Sequence, residues 1–118
     1  MKMQEESKRQ LKLAVKAAAE SVEDAARGYY DGEKCEDEYS ALEKYFEDVL
    51  DVEIISDMRR DYRGARIALA LGGPAIYLDT REGWVKGYWG NDFAEYHVQS
   101  WANDAVDEYF KELWNENF

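Results

Sequence analysis

The hydrophobic period of this chain changes twice, and the two changes limit what it can fold into. From Gln4 to Arg27, Leu11, Ala14, Val15, Ala18, Val22, Ala25 and Ala26 recur at three- and four-residue steps, the spacing of one helical face. From Val52 the period falls to two, and after Ser100 it returns to that of a helix. Strands joined by short turns leave no room for crossover helices, which argues against a parallel sheet. The order predicts an α+β domain: an antiparallel four- to five-stranded sheet with two N-terminal helices and one C-terminal helix, the helices covering one face.

The first helix has a mostly alanine face, so it packs closely but buries modest area. Gly28 suits its C-cap, and Tyr29-Tyr30-Asp31-Gly32 reads as a turn. A second helix is expected from about Cys35 to Leu50, with Tyr39, Leu42, Tyr45, Phe46, Val49 and Leu50 inward. Strands follow at Val52 to Met58, Ala65 to Leu71, Ala75 to Asp79 and Trp84 to Trp89, with a short edge strand at Phe93 to Val98. Arg60-Asp61, Gly72-Gly73-Pro74, Thr80 to Gly83 and Gly90 to Asp92 supply the turns. Ser100 is a good N-cap for the last helix, whose stripe is Ala102, Ala105, Val106, Tyr109, Phe110, Leu113 and Trp114. There is no internal repeat.

The 118 residues are read as a single domain, 1–118, with one core. A content of 46% hydrophobic and 14% aromatic residues excludes a disordered acidic tail. No apolar run approaches the roughly 18 residues of a membrane span, and the N-terminus lacks the apolar stretch of a signal peptide. One cysteine rules out an internal disulfide and suits a reducing compartment. A cytoplasmic location is expected.

Charge is distributed unevenly. Between Ala17 and Asp57 stand 14 acidic and three basic side chains, whereas the first 16 residues hold five basic and two acidic ones. The formal net charge of the molecule is −11, so the stretch from Ala17 to Asp57 accounts for all of it. Carboxylates three or four positions apart on a helix stand about 5–6 Å from one another, close to the spacing of phosphates on a nucleic-acid strand. Glu36, Asp37, Glu43, Glu47, Asp48 and Asp51 are the candidate binding residues, extended by Glu23 and Asp24 from the first helix (Glu20 and Asp31 are secondary). A groove built to grip phosphates would hold such a surface for the same electrostatic reason. The plain alternative is a solvated face that serves solubility.

Other chemistry is poorly supported. The acids lack the ligand spacing of a calcium loop, and one Cys with one His cannot build a structural zinc site; no cofactor is expected. Cys35 sits among carboxylates, which disfavour a thiolate nucleophile. His97 and Glu95 share one face of a possible edge strand, but no nucleophile lies nearby in sequence. Gly72-Gly73-Pro74 has neither phosphate-loop spacing and reads as a tight turn. On the fourth strand Trp84, Lys86 and Tyr88 alternate with Val85, Gly87 and Trp89. One set belongs to the core, and the other is available as an interface anchor. Arg59, Arg60, Arg63 and Arg66 bracket a hairpin and are expected to pair with acids of the neighbouring helix.

The segments Leu71-Gly72-Gly73-Pro74-Ala75-Ile76-Tyr77-Leu78-Asp79-Thr80 and Gly83-Trp84-Val85-Lys86-Gly87-Tyr88-Trp89-Gly90, followed by the acidic helix around Asp104 to Phe110, resemble small acidic proteins carried on mobile elements of Firmicutes. The resemblance covers about the C-terminal two thirds of the chain. Some proteins of that kind are anti-CRISPR inhibitors of Cas9. The resemblance therefore implies a non-enzymatic blocker that occupies a guide-RNA or DNA surface of the nuclease.

The expected function is that of an acidic interaction protein binding a basic, nucleic-acid-handling surface, with a Cas9-type nuclease as the first partner. Neither direct nucleic-acid binding nor membrane binding is expected, and the protein is read as a monomer or homodimer. Two other readings stay open. One is a small accessory enzyme or ligand-binding domain with a pocket near His97 and the tryptophans. The other is a self-associating structural protein that uses the long N-terminal helix.

Overall fold

The computed structural model describes residues 2–47, 49 and 51–117, with side chains from Glu6 onward. The order of elements is α1 (Lys2–Ala26), β1 (Tyr29–Tyr30), β2 (Glu33–Lys34), α2 (Glu38–Glu47), β3 (Asp51–Ser56), β4 (Tyr62–Ala70), β5 (Ala75–Asp79), β6 (Trp84–Trp89), β7 (Asp92–His97) and α3 (Ser100–Asn117). Strands β3 to β7 form a five-stranded antiparallel meander in chain order, and β1 and β2 form a separate small hairpin. The fold class is α+β, as the change of period requires. No described helix is long and apolar enough to cross a membrane.

Several boundaries depart from the sequence reading, β4 among them, which starts at Tyr62 rather than Ala65; three departures have a local cause or a missing signal. The segment after α1 is more than a turn. Asp31 and Gly32 adopt φ of 53° and 79°, the left-handed pair that closes a two-residue hairpin between Tyr29-Tyr30 and Glu33-Lys34. Strands of two residues carry no period, so the pattern could not show them. Helix α2 begins at Glu38 rather than Cys35, because the Asp37 carboxylate accepts the Ser40 N–H at 2.7 Å and caps it. Finally, the cap of α3 is Gln99, not Ser100: its carbonyl accepts the Ala102 and Asn103 N–H groups at 3.0 Å each.

The three helices lie on one face of the sheet. Helix α1 crosses β6 and β7, and α3 packs on β4. Its alanine-rich face lets α1 come close. A Cβ built on Gly87 would stand 2.5 Å from a Val15 methyl and 3.1 Å from Leu11, so glycine on β6 admits the helix. Leu11, Val15, Ala19, Val22 and Ala25 of α1 are buried against Ile67, Leu78 and Val85. Each large aliphatic side chain there removes enough apolar area to stabilise the fold by about 1.5–3 kcal/mol.

A polar cluster seats α3. Asp107 accepts hydrogen bonds from the Tyr62 hydroxyl at 2.7 Å and the Thr80 hydroxyl at 2.8 Å. Thr80 Oγ1 accepts the Ala65 N–H in turn, and its carbonyl accepts the Asn103 amide. The cluster joins β4, the β5–β6 turn and α3 at one point.

The other face of the sheet is open. Cross-strand partners share a face, so the rows Glu53–Arg66–Asp79–Trp84–His97 and Asp51–Ala68–Tyr77–Lys86–Glu95 lie there together. This resolves the alternation on β6: Val85 and Gly87 are core, while Trp84, Lys86 and Tyr88 look outward. Trp89, which falls in the same alternating set as Val85 and Gly87, is nevertheless 42% exposed at the strand end.

Candidate functional site

The eight acids singled out in the sequence do not form one face. Glu23 is a correction: it is buried, and its carboxylate accepts the Gln99 N–H at 2.9 Å. It is therefore a structural residue, absent from any docking surface. Asp24 is exposed but paired with Arg27 at 3.3 Å. Asp37 is committed to the α2 cap, and the Ser40 N–H holds its carboxyl below the ordinary range. Asp51 opens β3 on the helix-free side of the sheet, turned away from the α2 acids. Asp48 lies outside the described residues. Glu36, Glu43 and Glu47 remain exposed, and Glu43 and Glu47 stand one helical turn apart on α2.

The geometry adds carboxylates that the sequence reading left out. Helix α3 carries Asp104, Glu108, Glu112 and Glu116 at steps of four, all exposed and hence on one ridge. The two acidic helices meet at Tyr39. Its phenol is pushed up by partial desolvation and then by the negative charge of Glu116, Glu43 and Glu112. The Tyr39 ring leans on Tyr109 of α3 at 5.3 Å, and Tyr109 stacks against Phe46 at 5.7 Å. Tyr39 was read as part of the inward stripe of α2, yet it is 40% exposed. The result is an exposed tyrosine anchored on an aromatic core and rimmed by carboxylates from two helices. A spacing signal for Glu108, Glu112 and Glu116 was present in the sequence. Their approach to Glu43 was not, because it depends on how α2 and α3 pack.

Arg63 and Arg66 pair within the sheet rather than with a helix. Arg63 meets Asp57 at 2.7 Å and Arg66 meets Glu53 at 3.9 Å, and the Arg66 guanidinium also covers the Tyr77 ring at 4.0 Å. Asp57 further accepts the N–H groups of Arg59 and Asp61, closing the β3–β4 turn.

His97 is exposed on the open face. Its ring meets Trp84 edge-on at 4.9 Å, and Glu95 follows two positions earlier on the same side. Cys35 is half-buried beside the β2 backbone, with Sγ 4.0 Å from the Glu33 carbonyl. Among the described residues, no group of three His, Cys, Asp or Glu side chains is placed to hold a metal ion. Gly72-Gly73-Pro74 forms the β4–β5 turn, with Gly72 at a φ of 110° and a cis bond before Pro74.

In comparisons with known proteins, no family model, no curated protein and no solved structure matches this chain. The functional reading therefore rests on the chain's own surface.

Proposed function

We propose that this protein is a non-enzymatic interaction protein whose α2–α3 face docks on a basic, nucleic-acid-handling surface of another protein. The observation that carries this reading is the exposed Tyr39 of α2 seated on Tyr109 of α3 at 5.3 Å, where the exposed acids of the two helices come together and, after partial desolvation, their charge raises its phenol. Charged groups at a rim steer association and set its salt dependence, while a central aromatic supplies most of the affinity. Occupying a phosphate-binding groove needs carboxylate spacing and shape, with no bond made or broken. A Cas9-type nuclease, the partner implied by the resemblance of the β5–β6 region, is the first to test.

Charge reversal tests the reading directly. Glu43→Lys combined with Glu112→Lys is expected to weaken binding to the nuclease by at least about 10-fold, since like charges then face each other. The pair Asp24→Lys and Asp51→Lys, off this face, is expected to change affinity little. Equal losses from both pairs would mean that net charge, and not this face, governs binding.

A further inference from the structure

The five-stranded sheet ends in two edges that differ in how they are protected. On β3 the register shifts between Ile55 and Ser56, and such a bulge discourages pairing. β7 runs without a register shift from Asp92 to His97 and contains neither proline nor lysine. The Val98 N–H reaches the Gly83 carbonyl at 2.8 Å, which sets the phase of the ladder. Alternate residues bond inward, so the N–H and C=O groups of Phe93, Glu95 and His97 point away from β6. Among the described residues, no turn, loop or cap hydrogen bond reaches these groups.

Beside this edge Leu13 is 57% exposed, Phe93 49% and Tyr96 38%. They line one groove together with Lys12, Lys16 and Glu95. The groove thus has an apolar centre and a cationic rim on α1, and Asp92, on the helix side of β7 with Ala94 and Tyr96, places a carboxylate at the start of the strand. Rotated by a two-fold axis normal to the sheet it complements itself, with the α1 cations of one copy facing Asp92 of the other. A second copy supplies the free strand edge, the apolar surface and the opposite charges at once.

We infer that the outer edge of β7 pairs with β7 of a second copy of this chain, antiparallel about a two-fold axis at Ala94, to form a continuous ten-stranded sheet. An axis at Glu95 would set Glu95 directly opposite itself, which is destabilising. The axis at Ala94 sets Phe93 opposite Glu95 of the second copy instead. This surface lies at the opposite sheet edge from the α2–α3 face and does not depend on the function proposed above.

Light scattering after gel filtration, with sedimentation velocity from about 1 μM to about 1 mM, is expected to show the mass rise from 13.8 kDa to twice that value. Amide exchange at Phe93, Glu95 and His97 is expected to slow as concentration increases. Glu95→Pro removes an outward N–H that the β6 ladder does not use, and proline is tolerated at such an edge position. It is expected to raise the dimer dissociation constant at least about 10-fold, while Glu95→Gln leaves the dimer in place. Leu13→Lys tests the apolar centre without touching the strand and is expected to weaken the dimer as well; circular dichroism reports that each variant folds. A 13.8 kDa species at every concentration would overturn the proposal. So would a dimer whose Phe93, Glu95 and His97 amides exchange freely, or one indifferent to both Glu95→Pro and Leu13→Lys.

Discussion

The buried carboxylate of Glu23 accepts the backbone N–H of Gln99 at 2.9 Å, tying α1 to the residue that caps α3. The two groups are 76 positions apart in sequence. Gln99 uses its carbonyl to start the helix and its side-chain oxygen to accept the Trp101 indole N–H at 3.2 Å. The entry into α3 is therefore fixed by contacts outside the helix, and the acidic ridge of α3 inherits its direction from that anchor.

Removing the anchor is expected to cost stability. Glu23→Ala leaves the Gln99 N–H without its partner in a part-buried position and is expected to destabilise the fold by about 1–3 kcal/mol. A urea titration measures this. Affinity for a basic partner, measured under conditions where the variant stays folded, is expected to be unchanged, because Glu23 does not reach the surface.

Gly87 sets the distance between α1 and the sheet. Gly87→Ala places a methyl group against Val15 and Leu11, and the helix must shift to admit it. The expected cost is about 1–3 kcal/mol, typical of overpacking, and a lowered melting temperature checks it. The double variant with Val15→Ala, which frees volume at the clash, is expected to recover part of the loss.

How much of this was legible in the sequence depends on the kind of signal. β5 and β6 were placed residue for residue, because alternation between hard turn residues marks both ends. Gly87 inside a strand was itself a sign that another backbone or helix comes close, but the alternation left open which side of β6 is buried, and the contact with Val15 and Leu11 decides it. The β1–β2 hairpin carried no period to read. The α2 start was moved by Asp37, whose carboxylate was counted as surface charge and is used as a cap. The candidate site was half legible. Glu43 and Glu47 followed from helical spacing, whereas Tyr39 with Glu112 and Glu116 required the packing of α2 on α3. Glu23 was misplaced because a carboxylate facing a backbone N–H in another element leaves no trace in local sequence.

Alkaline pH probes the same packing. Desolvation, followed by the neighbouring Tyr30, pushes Tyr45 up to about 12. Desolvation, followed by Tyr39 and Glu43, does the same for Tyr109, also to about 12. An unfolded tyrosine ionises near 10, so above that pH the unfolded state loses protons that the folded state keeps. The stability tied to these phenols is complete below about pH 10 and is lost as the pH rises toward about 12. Chemical denaturation at several pH values is expected to show this decline. Tyr45→Phe and Tyr109→Phe should flatten it, and an unchanged slope in the double variant would assign the decline elsewhere.

The function proposed above requires the carboxylates around Tyr39 to occupy a surface of the partner that otherwise holds nucleic acid. The most direct test is the affinity of the protein for a Cas9-type nuclease, measured by calorimetry at a series of salt concentrations, with and without bound guide RNA. Binding to the guide-free nuclease is expected to fall at least about 10-fold between 50 mM and 200 mM salt and to be suppressed by guide RNA. Affinity that stays flat with salt and is indifferent to guide RNA, or no binding at all, would contradict it.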